Sequence, residues 1–86
     1  MARRRAKTEW EVAMGQRFKQ MREAAGMSQS QLARAADVPV GSLQQWEQGR
    51  RTPLLDAAAR VARALRVSLD ELAGNEPPKG RRPRKA

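Results

Sequence analysis

The chain has 86 residues and a formal net charge of +9, with 18 Lys and Arg against 9 Asp and Glu. This length allows a single small domain. Because the chain contains neither Cys nor His, disulfides and thiolate metal sites are excluded, and the usual general base and commonest metal ligand are missing. No apolar run approaches the length of a membrane span, and no apolar segment follows the basic N-terminus as in a secretory signal. We therefore expect a soluble, cytoplasmic protein that is not an enzyme and uses no cofactor, metal or membrane.

The positive charge is concentrated at the two ends of the chain. Residues 1–7 and residues 75–86 each carry a net charge of +4, whereas residues 8–74 carry only +1. Both ends lack apolar periodicity, and the C-terminal one contains three prolines. We expect a disordered basic N-terminal arm over 1–7, a folded domain over 8–74 and a disordered basic tail over 75–86. The two ends serve either as solubility tails or as electrostatic attachments to a polyanion.

The first two predicted helices each begin at a capping box. Thr8-x-x-Glu11 predicts the start of the first helix, and Ser28-x-x-Gln31 predicts the start of the second. Apolar residues at steps of three and four mark one face of the first helix, and a glycine that permits a left-handed backbone ends it. These residues are Met14, Phe18, Met21, Ala25 and Gly26.

The third predicted helix covers residues 39–48 and follows a break at residues 37–39. Leu43 and Trp46 lie at the spacing of a buried side, and Gly49 ends the helix. The remaining positions carry no positive charge, only small, apolar and glutamine residues plus Glu47, in a chain that is otherwise strongly basic.

The fourth and fifth predicted helices complete an all-α, compact five-helix fold. Thr52-Pro53 predicts the start of the fourth helix, with proline at the first helical position. Its core face is predicted to hold Leu54, Ala58, Val61, Ala62 and Leu65, and its solvated face to hold Arg60, Arg63 and Arg66. A third capping box, Ser68-x-x-Glu71, predicts the start of the fifth helix.

Two short helices joined by a tight break, the second with a polar outer face, predict a helix-turn-helix. In this motif the second helix lies in the major groove, where its N-terminal residues meet base edges. A glutamine side chain carries an acceptor and a donor side by side, which suits the N6 and N7 edge of adenine. Attraction to phosphate then comes from Arg50, Arg51 and the basic ends of the chain.

Residues 15–73 resemble the Xre-type or lambda-repressor-like (Cro/CI) helix-turn-helix family of bacteria and phages. The resemblance rests on the pattern GxSQxxLA at residues 26–33 and the pattern WExGRxxP at residues 46–53. It implies a lambda-repressor-like domain that binds double-stranded DNA and is therefore nucleoid-associated.

The resemblance also implies roles for individual residues. The positions that read bases in this family are Val40, Gly41, Gln44 and Gln45. The positions that contact the DNA backbone are Gln29, Ser42 and Arg50. Arg22 and Glu47 match a pair that commonly forms an internal salt bridge between the first and third helices.

Two residues depart from the family pattern. Pro39 stands where a Ser or Thr usually caps the reading helix, and Gly41 replaces a side chain at a main reading position. Glycine near a helix start costs up to about 1 kcal/mol of helix propensity, but it also allows the backbone to approach DNA closely. We interpret Trp46 as a core residue rather than one that stacks on a base. We interpret Glu47 as the partner of Arg22 rather than an acceptor from cytosine, and the alternative for Gln44 and Gln45 is a solvated face.

Three functions remain open from the sequence. The first is a sequence-specific transcriptional repressor that binds a palindromic site as a homodimer, with the dimer contact on the exposed parts of helices four and five, around Leu69 and Leu72. The second is an antitoxin-like or adaptor protein with a protein partner. The third is a nucleoid-type DNA binder in which the basic ends do most of the work. Residues 79–85 resemble an AT-hook, which enters the minor groove, but Gly-Arg-Arg-Pro replaces Arg-Gly-Arg-Pro, so we interpret them as an unspecific phosphate-binding arm.

Overall fold

The computed structural model describes residues 9–75, which form five α-helices. The helices are α1 (Glu9–Ala24), α2 (Gln29–Ala36), α3 (Val40–Glu47), α4 (Leu55–Leu65) and α5 (Leu69–Ala73). No strand occurs among these residues, and the predicted all-α fold with five helices is confirmed. None of these helices has both the length and the apolar character that a membrane crossing requires. The predicted capping residue Thr8, the N-terminal arm and residues 76–86 lie outside the described residues.

Local capping starts α2 and α5. The Ser28 hydroxyl accepts from the Gln31 backbone N–H at 3.0 Å, and the Ser28 N–H donates to Gln31 Oε1 at 2.8 Å. The Ser68 hydroxyl accepts from the Glu71 N–H at 2.9 Å, and the Ser68 N–H donates to Glu71 Oε1 at 2.9 Å. Gly26, with φ +73°, permits the left-handed turn after α1. Two of the three predicted capping boxes, those at Ser28 and Ser68, and this turn are confirmed.

A single apolar core joins the helices. Its largest fully buried side chains are Phe18, Leu32, Leu43, Val61 and Leu72. Trp46 is 8% exposed, and its ring meets that of Phe18 edge to face, with centroids 6.4 Å apart. The interpretation of Trp46 as a core residue is confirmed. Through this core α1 packs against α3, and α2 packs against both α3 and α4.

The predicted start of α4 was wrong. The helix begins at Leu55 rather than at Thr52-Pro53, and Leu54 is its N-cap in an extended conformation with φ −66° and ψ 161°. Proline disfavours a helical conformation in the residue before it, and residues 51–54 have no regular secondary structure. Because Leu54 precedes the first helical turn, the helical spacing to Ala58 does not place it in the core, and it is 79% exposed.

The prediction of a solvated arginine face on α4 was wrong for Arg60. Its Nε donates to the backbone oxygen of Ala36 at 3.0 Å, and its Nη1 lies 3.4 Å from Asp56 Oδ2. Ala36 is the last residue of α2, where backbone carbonyls have no partner within the helix. Arg60 therefore ties α4 to the C-terminal end of α2.

Candidate nucleic-acid interface

A three-residue turn, residues 37–39, joins α2 to α3. Asp37 ends α2 in a left-handed conformation, with φ 59° and ψ 50°. The next residue, Val38, is 9% exposed, and its N–H donates to the Ala33 oxygen at 3.0 Å. The turn is therefore fixed by a buried side chain and by backbone hydrogen bonds to α2. Two short helices joined in this way are a helix-turn-helix.

The third helix has one buried side and one open side. Leu43 is fully buried and Trp46 nearly so. Three of the predicted base-reading positions, Val40, Gly41 and Gln44, are exposed, and the fourth, Gln45, is half-buried. None of these four side chains is charged, so α3 presents an uncharged surface to solvent.

The N-terminus of α3 lacks a side-chain cap. Pro39 occupies the N-cap position and makes no capping hydrogen bond. An ideal Cβ placed on Gly41 meets nothing within 4 Å, and Gly41 is not among the residues with positive φ. Neither crowding within the described residues nor backbone conformation therefore requires glycine at this position.

The residues predicted to contact phosphate lie at both ends of the motif. Gln29 is the first residue of α2, and Ser42 is half-buried in the first turn of α3. Arg50 and Arg51 follow α3 and are both exposed. The Arg50 N–H donates to the Gln45 oxygen at 2.9 Å, which fixes the backbone of this segment to the end of α3.

Arg22 and Glu47 form an ion pair in the interior. Arg22 Nε donates to Glu47 Oε2 at 2.7 Å, and Arg22 Nη2 donates to Glu47 Oε1 at 3.1 Å. Arg22 Nη1 also donates to the Met27 oxygen at 2.9 Å. The side chains are only 11% and 4% exposed, and hydrogen bonding to Glu47 raises the pKa of the Arg22 guanidinium. The Glu47 carboxylate thus faces the protein interior, away from the open side of α3.

Two contacts near this ion pair were not predicted from the sequence. Gln29 Nε2 donates to Glu47 Oε1 at 3.0 Å, which joins a predicted phosphate contact to the ion pair. Gly15 lies against the end of α3, and an ideal Cβ on it would lie 2.6 Å from the Glu47 oxygen and 2.7 Å from the Trp46 oxygen. Both features join residues far apart in the chain, and no local pattern signals either of them.

Several large apolar side chains are exposed. Four of them, which we call the apolar patch, are Trp10 (54% exposed), Leu54 (79%), Leu55 (73%) and Leu69 (38%). Trp10, Leu55 and Leu69 line one groove of about 450 Å³, whose lining also includes core residues, whereas Leu54 lines a neighbouring groove at the start of α4. Leu72, predicted to take part in a dimer contact, is only 2% exposed. That part of the prediction was wrong, because Leu72 faces the core. No cluster of metal-binding side chains occurs within residues 9–75.

Comparisons with known proteins point to one family. A helix-turn-helix family model matches residues 18–72, more than half of the chain. The restriction-modification controller protein C.AhdI from Aeromonas hydrophila is 33% identical over 71% of this chain and 92% of its own, with a TM-score of 0.69. SinR, the master regulator for biofilm formation, solved in complex with DNA, is 37% identical over 69% of this chain and 95% of its own, with a TM-score of 0.66.

A third structure is that of the P22 c2 repressor protein in complex with a synthetic operator. It is 25% identical over 73% of this chain and 96% of its own, with a TM-score of 0.69. The comparison with curated proteins finds no match.

Proposed function

We propose that this chain, which belongs to the Xre-type (Cro/CI) helix-turn-helix family of DNA-binding transcription regulators, is a repressor that inserts α3 into the major groove of a specific site. The observation that carries the proposal is the division of α3 into two sides. Leu43 and Trp46 bind the helix to the core, and the open side carries no charge. A helix whose outer side only had to attract phosphate would instead carry Lys or Arg there.

The open side of α3 matches the chemistry of base edges. The amide of Gln44 suits the N6 and N7 atoms of adenine, and Val40 suits the methyl group of thymine. Gly41 leaves space for DNA to approach the backbone of the first turn. Gln45 is half-buried, so only part of its side chain is available to a base edge.

Phosphate contacts flank these reading positions. Arg50 and Arg51 are exposed immediately after α3, and Ser42 and Gln29 stand at the N-terminal turns of α3 and α2. Helix N-termini favour anions because their first N–H groups have no partner within the helix. Such contacts fix the register of the protein on the duplex, and the bases supply the specificity.

We further propose that two copies bind a palindromic site and meet through the apolar patch. Leu54 and Leu55 follow Arg51 closely in the chain, so a contact through them holds two copies side by side with their phosphate-binding segments near the shared surface. A patch of four side chains belongs to the class of small, weak interfaces. The free protein is therefore expected to be largely monomeric and to dimerise on DNA.

Selection of bound sites from random duplexes tests the reading positions. Gln44→Ala or Gln45→Ala is expected to cost about 1–3 kcal/mol on the selected site and little on random DNA. Gln20→Ala is the matched control, since Gln20 is an exposed glutamine on α1. Equal weakening on selected and random DNA contradicts the assignment of α3 as the reader. It favours instead a nucleoid-type binder driven by charge.

Footprinting tests the dimer. The parent is expected to protect two half-sites about one helical turn apart, and Leu55→Glu is expected to protect them only at higher concentration. Val12→Glu is the control, because Val12 is an exposed apolar residue outside the patch. Protection of a single half-site at saturation contradicts the dimer. If Leu55→Glu leaves DNA binding unchanged but abolishes binding of a different protein, the adaptor or antitoxin-like function is favoured.

A further inference from the structure

The Glu47 carboxylate joins three helices at one point. It accepts hydrogen bonds from Arg22 Nε at 2.7 Å, Arg22 Nη2 at 3.1 Å and Gln29 Nε2 at 3.0 Å. Arg22 belongs to the last turn of α1, Gln29 is the first residue of α2, and Glu47 is the last residue of α3. Arg22 also donates to the Met27 oxygen. The bond from Gln29 therefore adds to Glu47 a contact with the residue predicted to bind phosphate at the N-terminus of α2.

The carboxylate fixes the orientation of the Gln29 amide. An ionised carboxylate only accepts hydrogen bonds, whereas an amide presents an NH₂ donor on one side and an oxygen acceptor on the other. The amide nitrogen must therefore face Glu47, because the opposite orientation brings two oxygens together. Nε2 carries two hydrogens, and the bond to Glu47 uses one of them.

The second hydrogen has the chemistry that a phosphate requires. A phosphate oxygen of DNA accepts hydrogen bonds, and side-chain amides are among its usual donors. The carboxylate next to Gln29 brings little net repulsion to a phosphate, because Arg22 neutralises it through two charge-assisted hydrogen bonds.

We propose that Glu47 is a positioning residue for DNA binding, which holds the Gln29 amide so that its second N–H meets a phosphate. This inference rests on the proposed function, because it needs a duplex bound at the N-terminus of α2. It gives Glu47 a role in affinity beyond its role in folding.

A double-mutant cycle with an uncharged interior tests the inference. Arg22→Met combined with Glu47→Leu removes the pair but keeps the volume apolar, a kind of replacement that is often neutral or stabilising. Gln29→Ala is made in the parent and in this apolar variant, and affinity for the selected site is measured for all four proteins. Thermal melts confirm folding, and Gln20→Ala on the exposed side of α1 is the matched control.

In the parent, Gln29→Ala is expected to weaken binding about tenfold, the effect of losing a hydrogen bond to a charged group. In the apolar variant the same change is expected to have less than about a twofold effect, because the amide is no longer held. An equal loss in both backgrounds overturns the inference, since Gln29 then acts without Glu47. No loss in the parent also overturns it, whereas a parent with no preference for any duplex overturns the proposed function as well.

Side-chain amide resonances of the full chain give a second measurement if the apolar variant does not fold. Addition of the selected duplex is expected to shift one of the two Nε2 protons of Gln29 strongly. The other proton, which is donated to Glu47, is expected to change little. Unchanged resonances for both protons on saturation with DNA overturn the inference.

Discussion

The starts of α2 and α3 differ although the two helices have the same length. At the start of α2, Ser28 and Gln31 exchange two hydrogen bonds between side chains and backbone. At the start of α3, Pro39 makes no side-chain capping bond and Gly41 occupies the first turn. Eight-residue helices are marginal in isolation, so α3 forms because of its surroundings rather than its own sequence.

The contacts that α3 makes with the rest of the described domain lie on one side of the helix and at its C-terminal end. Leu43 and Trp46 enter the core, Glu47 is paired with Arg22, and Gly15 allows the backbone of α1 to lie against the last turn of α3. On the opposite side, Val40, Gly41 and Gln44 are exposed among the described residues, and the N-terminal turn has no side-chain cap there. The contacts on the buried side and at the C-terminal end of α3 therefore leave its exposed side and its N-terminal turn accessible to a partner. These are the parts of a helix that meet base edges in a helix-turn-helix.

Removal of the Glu47 carboxylate is expected to have the largest effect on this arrangement. Glu47→Ala leaves the Arg22 guanidinium buried without its partner, so the free energy of unfolding is expected to fall by about 3–5 kcal/mol. Urea denaturation measures the change. Asp56→Ala is the control, because its pair with Arg60 is exposed and is worth at most about 1 kcal/mol. A urea unfolding curve of Glu47→Ala that matches that of the parent contradicts the assigned role of the pair.

The next largest effect is expected from the contact between α1 and α3. Gly15→Ala gains about 1 kcal/mol of helix propensity, but the new Cβ would overlap the backbone oxygens of Trp46 and Glu47. Since backbone has little room to move, we expect a net loss of about 1–3 kcal/mol. Gln16→Ala, at an exposed neighbouring position in the same helix, is expected to leave stability unchanged or slightly raised. A Gly15→Ala protein more stable than the parent contradicts the close contact.

The features predicted correctly from the sequence are those with a local signal. Capping boxes at Ser28 and Ser68 depend on residues three positions apart, and the burial of Leu43 and Trp46 follows from helical spacing. The family pattern placed the Arg22 and Glu47 side chains as partners, although 25 positions separate them.

The features that were not predicted from the sequence depend on contacts between segments that are distant in the chain. Arg60 reaches Ala36 because two helices pack, and Gly15 is needed because α3 crosses α1 at that point. Leu54 is exposed because α4 begins after it. The helical spacing of apolar residues in the sequence continues through Leu54, so this spacing does not show where the helix begins. The base and phosphate contacts remain predictions, because they concern surfaces rather than internal packing.

A smaller effect is expected from the local cap of α2. Ser28→Ala removes the hydroxyl that accepts from Gln31 N–H, so stability is expected to fall by about 1 kcal/mol. Ser30→Ala is the matched control, because Ser30 is exposed inside the same helix and alanine there favours helix formation. Differential scanning calorimetry of both variants measures the difference. If both variants melt alike, the capping box contributes nothing to α2.

The smallest change in stability is expected at Gly41, and its sign is opposite. Gly41→Ala places a methyl group in open space on a residue without positive φ, so the helix is expected to gain up to about 1 kcal/mol. Gly49→Ala is the control, since φ is +77° there and alanine is strained in that conformation.

Binding to the selected site separates the two explanations for glycine at position 41. If DNA approaches the backbone of the first turn, the more stable Gly41→Ala protein binds that site more weakly, because the methyl group occupies the space that DNA requires. If Gly41→Ala both raises stability and tightens binding, DNA does not approach the backbone closely at this position. The only consequence of glycine at position 41 is then the absence of a side chain that could read a base.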